Sequence, residues 1–434
     1  MAPFPRSQAR LAHIVAWGRR VAAATLGAAL LVAAGSCTSD VDWSGATTPT
    51  PVSASDDPDG STSAASTCRS TPDEPDGEAA TVLEVAETAM QDADLRGVLI
   101  SVGRGDQEVV TAALGESVDG VPASTDLRFF DGAVVFSHLG TLMLLLDRDG
   151  VLDMDAPIDE HVDGVPGGDR ITPRMLMAST SGLVDYVPMD DFIDELYADP
   201  FRPVTTEELD ALVYAEPLLF EPGTNSSYTH QGFRLAGVVI EAASGRRLDD
   251  LLAERITEPL GMTSTEVVES VQVSGPVLRT FTDERGQYEE STSWSPAWGV
   301  PERAMQVMDV CDLRRSAAGI GSGELLQPEE LEQLVDPSSV DLPGPSDDCP
   351  SCIPQTEEMY LGLGVTVAGD WIIQTPSFTG FAAVQAYLPS QDLSIALANS
   401  LGPDGDVGTN ASVAILAELA RQLTPESPLP ARMG

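Results

Sequence analysis

Three histidines lie beyond residue 37, at His138, His161 and His230. An imidazole is the side chain best placed to move protons near neutral pH. His230 follows Tyr228 by two positions and stands close behind Ser226 and Ser227. A serine–histidine pair held by a carboxylate could act there as a general-base system. The alternative is that His230 only hydrogen-bonds its own loop. Ser137-His138 sits inside an apolar run, which points to a buried, hydrogen-bonded pair, and His161 lies in a Val/Asp/Gly-rich stretch that reads as solvated. No Gly-x-Ser-x-Gly elbow, no His-Glu-x-x-His and no glycine-rich phosphate loop occurs, so neither a cofactor nor a metal is expected. The larger absence is lysine. All 23 basic residues are arginine, against 68 acidic ones. A mechanism that needs an ε-amine as base or nucleophile is closed to this chain.

The cysteines are Cys37, Cys68, Cys311, Cys349 and Cys352. Cys349-Pro-Ser-Cys352 has redox-motif spacing, yet it lies in a Pro/Asp-rich loop and not at a helix start. Zinc would want two more ligands nearby, and the sequence offers none. A structural disulfide is therefore expected. If Cys37 is set aside, Cys68, Cys311, Cys349 and Cys352 remain, and three pairings stay open.

The elements that must position these groups are legible from periodicity. Residues 79–93 read as a helix with Val82, Leu83, Val85 and Ala86 on its apolar side. Gly97–Gly103 and Glu108–Leu114 read as a hairpin across an Arg-Gly-Asp turn. Gly132–Leu146 is almost continuously apolar and fits a buried helix ending at Asp149-Gly150. A mainly helical block runs from Ile171 to Leu260. Strand-like runs follow at Trp371–Ile373, Phe381–Leu388 and Leu393–Asn399, and Asn410–Leu423 is a closing amphipathic helix. This order predicts an α/β fold, an antiparallel sheet flanked by helices with an inserted mainly helical lobe.

Five strings in this stretch resemble, in order and spacing, the serine β-lactamase-like, penicillin-binding-protein-like family of the class C type. They are the Asp149–Ile158 turn, Ile171–Leu183 with its Ser-Thr-Ser-Gly-Leu end, Phe220-Glu-Pro-Gly-Thr224 followed by Tyr228, Leu235–Gly245, and Glu258–Thr265. The resemblance covers residues 79–423. It implies a helix-opening serine with a lysine three residues on, the spacing that puts both on one helix face. Counted back from Gly150, these positions are Ala133 and Phe136. It implies a tyrosine with asparagine two residues on, found here as Tyr228 and His230. It implies a Lys/His-x-Gly triplet on a strand lining the site. Counted back from Gly380, this is Gln374-Thr375-Pro376, where proline removes a ladder donor. Ser179 stands where the family has histidine. Losing a nucleophile alone lowers turnover about a million-fold in a comparable system. The expectation is a pseudoenzyme whose vestigial pocket binds a ligand through Tyr228, His230 and Gln374. The ligand would be a cell-wall peptide or a protein partner. The alternative is an esterase, amidase or peptidase with a substituted mechanism around Tyr228 and His230.

The formal charge is -45 at pH 7, which disfavours nucleic acid and anionic membrane surfaces as partners. Arginine in place of lysine points to genome composition or a salty habitat more than to function. Arg6, Arg10, Arg19 and Arg20 precede an apolar run, Val21–Ala34, of signal-peptide length. Ser36-Cys37 then resembles a lipobox, which would make Cys37 the lipidated first residue of a protein on the outer face of the membrane. Plain cleavage near Ala34–Ser36, giving a secreted protein, is the alternative, and Arg19-Arg20 leaves a twin-arginine route open. The expected organisation is a signal peptide over 1–36, an acidic Ser/Thr/Pro tether over 37–78, a domain over 79–425 and a tail over 426–434.

Overall fold

The computed structural model describes residues 75–433. The expectations for the signal peptide, for Cys37 and Cys68, and for nearly all of the tether lie outside the described residues.

The first helix, α1 (Gly77–Asp92), buries Ala79, Val82, Val85 and Ala86. The hairpin follows as β1 (Leu95–Arg104) and β2 (Gln107–Val118), continued by the short β3 (Val121–Pro122). Near the C-terminus come β4 (Met359–Leu361), β5 (Thr366–Ala368), β6 (Trp371–Gln374), β7 (Ser377–Phe378), β8 (Phe381–Leu388) and β9 (Leu393–Leu401). They form one nine-stranded sheet in the order β3-β2-β1-β9-β8-β6-β5-β4, with β7 on β8. The β1–β9 pairing is antiparallel and brings the two chain segments side by side. Everything between β3 and β4 is thus an insertion in the sheet; most of it forms the mainly helical lobe, while Val310–Ser322 packs on strands β1, β8 and β9.

Alternation along β1 divides its side chains between two cores. Val98, Ile100 and Val102 face one apolar cluster with α1 and the closing helix, while Leu99 faces the other. The second cluster holds Ala383, Ala396 and Ala398, small residues against which a helix can pack closely. Two features near the C-terminus shape this edge of the sheet. Pro376 has no N–H for the ladder, so β6 ends at Gln374 and pairing resumes only at Ser377. The segment 426–434, set apart as a tail, makes contacts to the sheet cluster. Trp371 donates its indole N–H to Ser427 O at 2.8 Å, and Leu429 and Met433 pack on the sheet cluster.

The apolar run becomes α2 (Val134–Arg148), buried from Val134 through Leu146. A helix apolar on all sides is stable only inside a core. It packs against α3 (His230–Ser244) and α4 (Val310–Ser322). The 362–364 loop touches α2 directly. Gly364, at φ +74°, and Gly140 leave no room for a β-carbon, because carbonyls of Phe136 and Leu363 occupy the space. The chain closes with α5 (Ala411–Leu423), whose Asn410 cap accepts from Val413 N–H.

Ser137 and His138 are fully buried in α2, as expected for a hydrogen-bonded pair. His138 Nδ1 meets the Gln306 side-chain amide at 3.0 Å, and Nε2 meets Ser316 Oγ at 2.8 Å. Ser316 donates to Gln385 at 2.6 Å, Gln385 to Ser137 at 2.9 Å, and Ser137 to Val134 O at 2.8 Å. Burial pushes His138 down to about 4, so it stays neutral.

Candidate functional site

Ala133 is the N-cap of α2 and offers its first turn no side-chain hydrogen bond. Gly132 precedes it at φ +55°, turning the chain so that Asp131 N–H reaches Gln306 O at 3.1 Å. Phe136, one turn along, is 1 % exposed and stacks face to face on Phe233 of α3, centroids 3.9 Å apart and planes 8° from parallel. Tyr228 continues this aromatic group, 5.4 Å from Phe233 and edge-on to His230 at 5.1 Å. Phe136, Tyr228 and His230 line a cleft with about 520 Å³ of non-atom space, part of it open solvent. Trp298, Val300 and Met305 contribute from the inserted lobe, and Pro376, Ser377 and Phe378 from the broken strand.

His230 opens α3, and its Nδ1 lies 3.1 and 3.2 Å from the two oxygens of Asp185. The same carboxylate receives the His230 backbone N–H at 3.2 Å. Asp185 thereby serves as the helix cap, because Thr229 turns its hydroxyl to Val184 O at 3.0 Å. A carboxylate that accepts from the backbone N–H also accepts from Nδ1–H, which fixes the ring and turns Nε2 away from Asp185. Nε2 has no partner among the described residues. This is the orientation in which an imidazole serves as base. The neighbouring Tyr186 phenol donates to Trp298 O, tying the Asp185 loop to the cleft wall.

Two more polar groups in the cleft are incompletely satisfied. Asp131 is 1 % exposed and its Oδ2 has no partner. Burial pushes its carboxyl well above the usual range, against backbone N–H groups of Gln306, Asp131 and Val135 that pull it down. The Tyr228 hydroxyl is also buried without a partner. Burial first, and the Asp185 charge second, raise its pKa far above that of a free phenol.

Several predicted residues are elsewhere. Gln374 does not line the cleft, because its amide donates to Gly364 O and holds the loop on α2. Ser226 and Ser227 do not pair with His230. Ser226 Oγ accepts from Gln355 at 3.1 Å, and Ser227 Oγ donates to Ser351 O at 3.3 Å. Both hydroxyls are drawn toward the loop closed by the Cys349–Cys352 disulfide, S–S 2.10 Å and Cα–Cα 5.4 Å. Cys311 is also disulfide-bonded. Ser179 is buried at φ +58°, and its carbonyl anchors Ser227 N–H at 2.9 Å. His161 caps a short turn away from the cleft. Among the described residues no cluster of His, Cys, Asp and Glu could hold a metal.

Asp185, Asp131 and Trp298 were not anticipated. Asp185 lies 45 positions before His230, with no local pattern linking them. The only available signal was its place just after the Ser-Gly-Leu string.

The Beta-lactamase family profile matches residues 82–418. The chain belongs to that family. Relatives that it matches include a D-aminopeptidase and a penicillin-binding protein. It is 34 % identical over 151 residues to a D-aminopeptidase of Brucella anthropi, covering 34 % of this chain and 26 % of the relative. It is 32 % identical over 134 residues to penicillin-binding protein 4* of Bacillus subtilis, covering 30 % and 28 %. The matches thus span only about a quarter of these curated relatives. Among solved structures, a D-stereospecific amidohydrolase from Streptomyces superposes with TM-score 0.66 at 21 % identity, over 80 % of this chain and 98 % of that one. The D-amino acid amidase of Ochrobactrum anthropi SV3, complexed with L-phenylalanine amide, superposes with TM-score 0.64 at 19 % identity, over 80 % and 99 %. At such identities the likeness concerns the fold.

Proposed function

We propose that this beta-lactamase family member binds a ligand in its cleft without forming an acyl-enzyme. The observation that carries the reading is Phe136 stacked on Phe233 beside Ala133, in a chain that has no lysine. A serine hydroxyl attacks only when a neighbouring group takes its proton. At the start of α2 there is a methyl group and a phenyl ring instead. Incubation with a fluorescent penicillin and with a fluorophosphonate is expected to leave no covalent adduct. A stoichiometric adduct on any cleft residue would sink the proposal.

A second reading rests on the Asp185–His230 pair. Nε2 could activate a water against a bound amide or ester, giving a hydrolase with a substituted mechanism. Slow turnover of a D-amino acid amide that disappears in His230→Ala would favour it.

We also propose that the domain is exported and held to the membrane by lipid on Cys37. Cys37 would then be unavailable for sulfur pairing. Since Cys349 and Cys352 pair with each other, Cys68 would be the partner of Cys311. Non-reducing mass spectrometry of the mature protein is expected to find an acylated N-terminal Cys37 and a Cys68–Cys311 cross-linked peptide. A Cys37–Cys311 peptide would exclude the anchor.

A further inference from the structure

The cleft combines two things that rarely meet by accident, a wall of aromatic rings and a buried carboxyl, Asp131, with no basic side chain paired to it. Phe130, Phe136, Tyr228, Trp298 and Phe378 all line it. Asp131 lines it too, with Oδ2 unpartnered at 1 % exposure. Asp185 stands behind His230 and is paired with its Nδ1, so Asp131 is the acidic group left open. No arginine lines the cleft, and the sequence has no lysine. Arginines elsewhere are mostly held by carboxylates, such as Arg174 by Asp155 and Arg303 by Glu241.

From this geometry we infer that the cleft takes a small organic ammonium ion, its cationic head against the aromatic faces and Asp131. The inference rests on reading the cleft as a binding site and names the chemistry of its ligand. Ring quadrupoles attract a cation most strongly when both are desolvated, and Trp298 is the best such ring present. A buried carboxyl oxygen without a partner is costly until something compensates it, and an ammonium charge does so. An anionic ligand would meet Asp131 and a strongly negative protein with no basic group in reach. A hydroxyl on the same ligand could accept from the Tyr228 phenol and hydrogen-bond His230 Nε2, the two other groups left open.

Choline and its neutral carbon isostere, 3,3-dimethylbutan-1-ol, differ essentially in charge and make the test. Titration calorimetry on the unmodified protein is expected to give one-to-one choline binding, with the isostere at least about tenfold weaker. Trp298→Ala and Asp131→Asn should each weaken choline about tenfold and leave the isostere nearly unchanged. The wild-type comparison stands even if a variant fails to fold. Equal binding of the two probes would overturn the cationic specificity and leave the ligand-binding reading in place. Binding of neither would remove both. Choline binding alongside a covalent penicillin adduct would remove only the claim of absent acyl chemistry.

Discussion

Phe136→Lys is expected to destabilise the domain by about 3–5 kcal/mol, the range for emptying a large aromatic site in a core. The ring is buried and stacked on Phe233, so the substitution removes apolar burial and an aromatic contact together. It then places an amine among Phe233, Tyr228 and the apolar turns of α2, where the charged form is disfavoured. Phe136→Leu keeps most of the volume and should cost no more than about 1.5 kcal/mol. Urea unfolding of the three proteins gives the comparison directly. If the lysine variant unfolds within about 1 kcal/mol of the parent, the site already accommodates an amine. The case that aromatic packing has replaced acyl chemistry would then fail.

Asp185→Ala is expected to cost about 2–4 kcal/mol, because one carboxylate serves two needs. It caps the first backbone N–H of α3 and fixes the His230 ring. Charge-assisted hydrogen bonds contribute about 1.5–3 kcal/mol each, and their loss leaves buried donors unpaired. Asp185→Asn keeps an acceptor oxygen and should cost roughly half as much. The two differ in a second readout. The amide can hold the backbone N–H while releasing the ring proton to either nitrogen, so imidazole nitrogen shifts should report mixed tautomers in the Asn variant only. An Asp185→Ala protein as stable as the parent, with His230 still in one tautomer, would show that the contact does not position the imidazole.

Much of the fold was legible because it rests on local periodicity. The β1–β2 hairpin, α2 and α5 appear where alternation or an apolar run demanded them. Counting back from Gly150 brought Ala133 and Phe136 to the start of a helix, and both line the cleft. What failed to be legible depends on distant partners. Gln374 looked like a ligand contact from its strand position, but the Gly364 carbonyl lies nearer and captures its amide. Ser226 and Ser227 looked available to His230, yet the disulfide loop draws their hydroxyls the other way. Asp131 carried no motif, and only the fold reveals that Gly132 turns it inward. The tail's few apolar residues are scattered among prolines, too sparse a pattern to announce that Leu429 and Met433 would reach the sheet.

The polar chain under α2 admits a single order of hydrogens. A carbonyl cannot donate, so Ser137 must give its only proton to Val134 O and accept from the Gln385 amide nitrogen. Gln385 therefore shows its oxygen to Ser316, which gives up its own proton there and accepts from His138 Nε2. That leaves Nδ1 bare opposite Gln306 Oε1, while Gln306 Nε2 has no partner; exchanging the two amide atoms satisfies both nitrogens. Gln306 is also the residue whose carbonyl steers Asp131. One directional relay thus runs from the middle of the sheet to the lip of the cavity. A visitor there meets a mould already cast, held by protons that have nowhere else to go.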